Sequence, residues 1–114
     1  MVTTTHLQLT LLEQAQAQKE VTVNNALVKI DALLNAGALT SSNNTPPTSP
    51  NAGDIHIIGS TPTGAWAGKA KQITYFDQIW RFISPNTGSI IWAEDVRQLM
   101  VYRSSNWQAI TVAL

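Results

Sequence analysis

Between positions 6 and 11 the chain alternates, with Leu7, Leu9 and Leu11 set against His6, Gln8 and Thr10. That two-residue period predicts a half-buried strand or an extended arm. The stretch EQAQAQKE that follows fits strand or helix by pattern, and its Gln, Ala, Glu and Lys favour helix by propensity. From Val23 the period changes: Val23, Leu27, Ile30 and Leu34 are spaced by four, three and four, one face of a helix that Ala26 and Leu33 widen. Thr22 or Asn24 is placed to cap its start and Gly37 to stop it in a left-handed conformation. A helix of about three or four turns is not stable alone in water, so its apolar stripe has to be buried against something.

Residues 38–53 are mostly Ser, Thr, Asn and Pro, and Pro46, Pro47 and Pro50 disfavour both helix and sheet ladders. They read as a linker able to span on the order of 40 Å. Beyond it, GDIHIIGS, KQITYFD, IWRFISP, GSIIWAED, QLMVYRS and NWQAITVAL are short runs rich in Ile, Val and aromatics, bounded by turn residues. At roughly ten-residue spacing they predict antiparallel hairpins and a meander. Tyr75, Trp80 and Ile83 recur as Tyr102, Trp107 and Ile110, the same Y-x4-W-x2-I spacing, which predicts two hairpins built alike. The expected fold is therefore α+β: an N-terminal arm and oligomerising helix (residues 1–37), a Pro/Ser/Thr linker (38–53) and a small antiparallel, meander or barrel-like β-domain (54–114).

Composition narrows the function classes. Seven Lys and Arg balance seven Asp and Glu, and only 12% of residues are charged, about half the usual globular share. No basic cluster is present to neutralise phosphates, so nucleic acid is not an expected partner. Thirteen Thr and eight each of Ser, Asn and Gln supply polarity without ions, which suits hydrogen bonding across a shared interface. Cysteine is absent, removing disulfides and thiolate chemistry. No cleavable leader is recognisable, and Lys29 and Asp31 interrupt the one apolar stretch, so no membrane association is expected.

Little points to catalysis. His6 and His56 lack a third ligand at metal-binding spacing. Glu94 and Asp95 are adjacent on a predicted strand and point to opposite faces, unlike a glycosidase pair. Asp54 and Asp77 read as turn acids, and no nucleotide, zinc-protease or hydrolase motif occurs. The chain is expected to be no enzyme and to need no cofactor or metal. Most of the four tryptophans are expected in the core, where each ring buries on the order of 150–250 Å²; Trp66 and Trp92 are the candidates for stacking on a glycan.

The order of QAQKEVTVNNALVKIDAL, PPTSPNAGD, GAWAGKAKQI and a closing aromatic hairpin resembles an uncharacterised domain family found in phage, prophage and gene-transfer-agent proteins, many of them tail-fibre or spike-like. The resemblance runs over nearly the whole chain; Ile30 replaces the family's usual leucine, and Lys69 and Ser89 stand where histidine and tryptophan are usual. It implies a structural role in the external part of a virion made in the bacterial cytoplasm. The implied partners are the chain itself, as a homotrimer, and other virion proteins; the alternative reading, a carbohydrate-binding module for a host-surface polysaccharide, rests on the tryptophans. On the virion reading Val23, Leu27, Ile30 and Leu34 close a three-helix bundle, and Gln14, Gln16 and Gln18 hydrogen-bond one another or a neighbouring virion protein.

Overall fold

The computed structural model describes residues 2–11, 19–34 and 37–110. The chain divides into two compact units, residues 1–36 and 37–114.

In the first unit, helix α1 runs Lys19–Leu33, and the Leu34 amide donates to Ile30 O to close its last turn. Thr22 and Asn24 lie inside the helix instead of capping it. Residues 2–11 are not extended. Thr3 and Thr10 form an antiparallel bridge, the Thr4 amide donates to Leu9 O, and the Leu11 amide donates to Val2 O. The leucine alternation is real in its burial, with Leu7, Leu9 and Leu11 half-buried and His6, Gln8 and Thr10 exposed. The backbone turns back on itself because an acceptor from the helix collects its amides, as described below.

Among the described residues the second unit holds seven strands in two sheets: β1 (Gly37–Ala38), β2 (Ile55–Ile57), β3 (Ile73–Asp77), β4 (Ile79–Ile83), β5 (Ile90–Ala93), β6 (Gln98–Arg103) and β7 (Asn106–Ala109). One sheet has the order β1-β5-β6-β7, the other β2-β3-β4. Each of the six apolar runs contains a strand, every pairing between these strands is antiparallel except β1 with β5, and neither sheet closes into a barrel. The fold is α+β with a small β-domain.

Gly37 is a strand residue whose backbone is not left-handed. A Cβ there would meet the Trp92 ring at 4.0 Å, an ordinary contact, so neither a left-handed helix stop nor close packing demands glycine at this position. Residues 38–45, read from composition as linker, belong to the β unit. Ala38 is fully buried, the Leu39 amide donates to Ile55 O, the Ile57 amide to Thr40 O and the Asn43 amide to Ile57 O. An irregular segment with few apolar side chains thus covers the free edge of β2, whose residues are all buried. The prolines sit just past this edge, where no ladder hydrogen bond is demanded of them.

The two Y-x4-W-x2-I hairpins differ in register. At β6–β7, Ser104 and Ser105 both take positive φ (54° and 60°), the two-residue turn that matches strand twist. Tyr102 then faces Trp107 directly, with ring centroids 5.2 Å apart. At β3–β4 the turn centres on Gln78 alone (φ 65°), so Trp80 faces Phe76 and Tyr75 faces Arg81. One residue less in the turn puts Tyr75 and Trp80 on opposite sheet faces. Tyr75 packs on one face with Ile55, Ile57 and Ile73, while Trp80 joins His56, Thr74 and Phe82 on the other, where His56 and Thr74 are buried as well.

Candidate attachment surface

Among its described side chains helix α1 buries Asp31 and Ala32, with Asn24, Leu27 and Val28 half-buried on the same side. Asp31 organises the unit. Its Oδ1 accepts the Thr4 hydroxyl at 2.7 Å and the Leu7 amide at 2.6 Å, and its Oδ2 accepts the His6 amide at 2.9 Å. The Thr4 hydroxyl oxygen in turn accepts the Leu9 amide at 2.9 Å. Burial by itself would raise the Asp31 carboxyl, yet the bonds from Thr4, Leu7 and His6, with the His6 charge, hold it below its ordinary 3.8. The sequence showed Asp31 only as an interruption of an apolar stretch. Its signal was an acid set inside ALVKIDALL, a place where a carboxylate survives only with donors supplied.

The apolar stripe lies elsewhere on the helix. Its centre is offset by about 100° from the buried face, counting 100° per residue. Val23, Ile30 and Leu34 are 42%, 49% and 59% exposed, Leu27 is half-buried between the two faces, and Val21 and Leu33 are exposed as well. The structure therefore brings Val23, Ile30 and Leu34 together on an open seam flanked by Leu27. Gln14, Gln16 and Gln18 lie outside the described residues.

The two tryptophans singled out for glycan contact part company. Trp66 sits on a short 3-10 turn, Gly64–Trp66, and is 0% exposed. Its ring packs on Trp80 at 5.1 Å and His56 at 5.4 Å, and Trp80 also meets Phe76 at 5.1 Å. No face of Trp66 is left for a ligand, because in a domain this small the largest side chains fill the core. Its Nε1 and His56 Nε2 are buried with no hydrogen-bond partner among the described residues. His56 is held through Nδ1 by Thr40 Oγ1 at 2.9 Å, and burial keeps its imidazole below the ordinary value against the opposing charges of Asp54 and Asp95.

Trp92 is 36% exposed on the outer face of the four-stranded sheet, where its Nε1 donates to Glu94 Oε2 at 2.7 Å. The ladder places it beside Leu99, with Ile90 opposite Val101. Ile90, Leu99 and Ile110 are exposed, which makes this an open apolar face with a single acid at its rim. Asp95, next in sequence, turns away to accept the Ser41 amide and hydroxyl at 3.0 and 3.2 Å. The two adjacent carboxylates serve separate structural contacts. Among the described residues no three His, Asp or Glu side chains converge on a point where a metal could sit, and no helix is long and apolar enough to cross a membrane.

No curated protein and no solved structure matches the chain. The sequence model of one family does match, over residues 23–108, which takes in the exposed helix seam and the β unit from β1 through most of β7. The chain belongs to that family, the proteins of unknown function designated DUF2793.

Proposed function

We propose that this protein is a non-enzymatic structural component of a phage or phage-like particle, such as a tail fibre, spike or baseplate-associated protein, that self-associates and attaches through its N-terminal unit and presents the β unit outward. The observation that carries the reading is the exposed seam of Val23, Ile30 and Leu34 on α1. Each such side chain gains about 1.5–3 kcal/mol on full burial, and roughly half of that is still to be realised here. The four-three-four spacing is that of a bundle seam, and a closed symmetric trimer buries three copies of it at once. The particle assignment rests on the motif order given above; the uncharged Thr, Ser, Asn and Gln surface is compatible with it.

Light scattering coupled to size-exclusion chromatography tests the proposal. The intact chain is expected at three times its 12.4 kDa mass, and the combined substitution V23Q, I30Q and L34Q at the mass of one chain with the β unit still folded. A monomer at micromolar concentration, unaltered by those substitutions, refutes the self-association.

A second reading, recognition of a host-surface glycan, draws support from Trp92, whose part-exposed ring beside the Glu94 carboxylate has the make-up of a sugar-stacking platform. Binding to a glycan array that Trp92→Ala abolishes, with melting unchanged, is its expected signature.

A further inference from the structure

A cleft of about 270 Å³ opens in the β unit, walled by Ser41, Ser42, Ser60, Lys71, Asn106 and Trp107. It is independent of the helix seam and of Trp92. Its floor is apolar, from Ile58 and Met100, and its polar groups converge from distant parts of the chain. Gly59 lies at this wall because a Cβ there would collide with the Asn44 side chain and come within 3.0 Å of the Ser42 hydroxyl.

Lys71 is fixed in place more firmly than a surface lysine. Its backbone is held at a φ of 64°, its amide donates to Ile58 O at 3.1 Å, and its carbonyl accepts the Trp107 indole N–H at 2.8 Å. Its ammonium donates to Ser105 O at 3.1 Å and Asn106 Oδ1 at 2.7 Å. Both acceptors are neutral, and the only ion pair among the described residues joins Arg81 to Asp77. Ser42 and Ser60 hydroxyls have no hydrogen-bond partner among the described residues, and Asp95, occupied by Ser41, does not line the cleft. A lysine ammonium held by neutral partners, two exposed hydroxyls and an indole beside an apolar floor make up the lining of a small-ligand site.

We propose that this cleft binds a small hydroxylated carboxylate, about the size of one acidic sugar ring, with the Lys71 ammonium pairing the carboxylate and Ser42 and Ser60 engaging the hydroxyls. A charge-assisted bond from a pre-positioned ammonium is the strong contact, and the hydroxyls supply orientation.

Titration of the ¹⁵N-labelled full chain with glucuronate, glucose and acetate tests it, read at the Trp107 indole and the Ser60 and Lys71 amides. Glucuronate is expected to give saturable shifts at these positions; glucose is expected to bind at least about tenfold more weakly because it lacks the charge-assisted contact, and acetate more weakly because it lacks the hydroxyls. Lys71→Met, which keeps the apolar stem, is expected to abolish the glucuronate response. Ser60→Ala, which breaks no contact within the protein, is expected to weaken it and so covers the case in which Lys71→Met fails to fold. No saturable shift with glucuronate, glucose binding as tightly as glucuronate, or glucuronate binding unchanged in Ser60→Ala overturns the proposal.

Discussion

Replacing Asp31 is expected to release the N-terminal turn while leaving the β unit intact. One carboxylate gathers three donors, the Thr4 hydroxyl and the His6 and Leu7 amides, at 2.6 to 2.9 Å. A hydrogen bond to a charged group contributes about 1.5–3 kcal/mol. The three share one acceptor and are coupled, so their sum is not additive, and about 3 kcal/mol is a reasonable total at the level of a charge-assisted cluster. At 1.4 kcal/mol per factor of ten, that is roughly a hundredfold loss of amide protection where the turn opens locally. Hydrogen exchange followed by NMR reads it directly. In Asp31→Ala the His6 and Leu7 amides should exchange faster by that order, and Leu9 with them, because its amide donates to the Thr4 hydroxyl that Asp31 holds. Asp31→Asn, which keeps one acceptor oxygen, should fall between. The Ile57 and Ile58 amides, bonded to Thr40 O and Gln72 O in the other unit, serve as the internal control. Protection at His6 and Leu7 within about twofold of the parent would refute the reasoning, since it would mean that Asp31 contributes nothing beyond the bridge between Thr3 and Thr10. The pH dependence carries the same signature. The carboxyl titrates below 3.8 in the folded chain and near 3.8 when released, so its contribution is complete above that value and is lost as pH falls through the folded pKa.

Other outcomes follow from the β unit. Burial holds the His56 imidazole below its ordinary 6.5, so an unfolded chain takes up the proton first as pH drops. Urea stability should be flat above pH 6.5 and decline as pH falls through the folded pKa, and His56→Gln should flatten that decline. Trp66→Ala, at a site 0% exposed, should cost about 3–5 kcal/mol in denaturant melts, whereas Trp92→Ala should cost far less. Gly59→Ala drives a Cβ into Asn44, whose Oδ1 already accepts the Thr61 amide, and should destabilise by about 1–3 kcal/mol. Ser105→Gly, at a φ of 60°, should raise the melting temperature, the glycine relieving about 1 kcal/mol of left-handed strain.

How much was legible in the sequence depends on the range of the interactions involved. The helix and the six β runs were set locally, because side-chain period acts within a few positions of itself. The apolar seam could be named from spacing alone, since α-helical periodicity fixes which residues share a face. What the seam meets could not, because that depends on surfaces beyond the segment.

Tertiary structure decided the rest. Asp31 finds its donors 24 to 27 positions away, in a segment whose own leucine alternation argued for an extended arm. The Ser- and Pro-rich stretch after Gly37 became an edge cover because β2 needed partners for its backbone, a demand invisible in that stretch's own composition. Identical Y-x4-W-x2-I spacing yielded two registers, for one extra turn residue moves a tryptophan across the sheet. Which tryptophan fills the core and which faces out, Trp66 or Trp92, was likewise settled by what packs around them. Local pattern chooses the elements; long-range hydrogen bonding and close packing choose their partners, and the exposed surfaces are what that pairing leaves over.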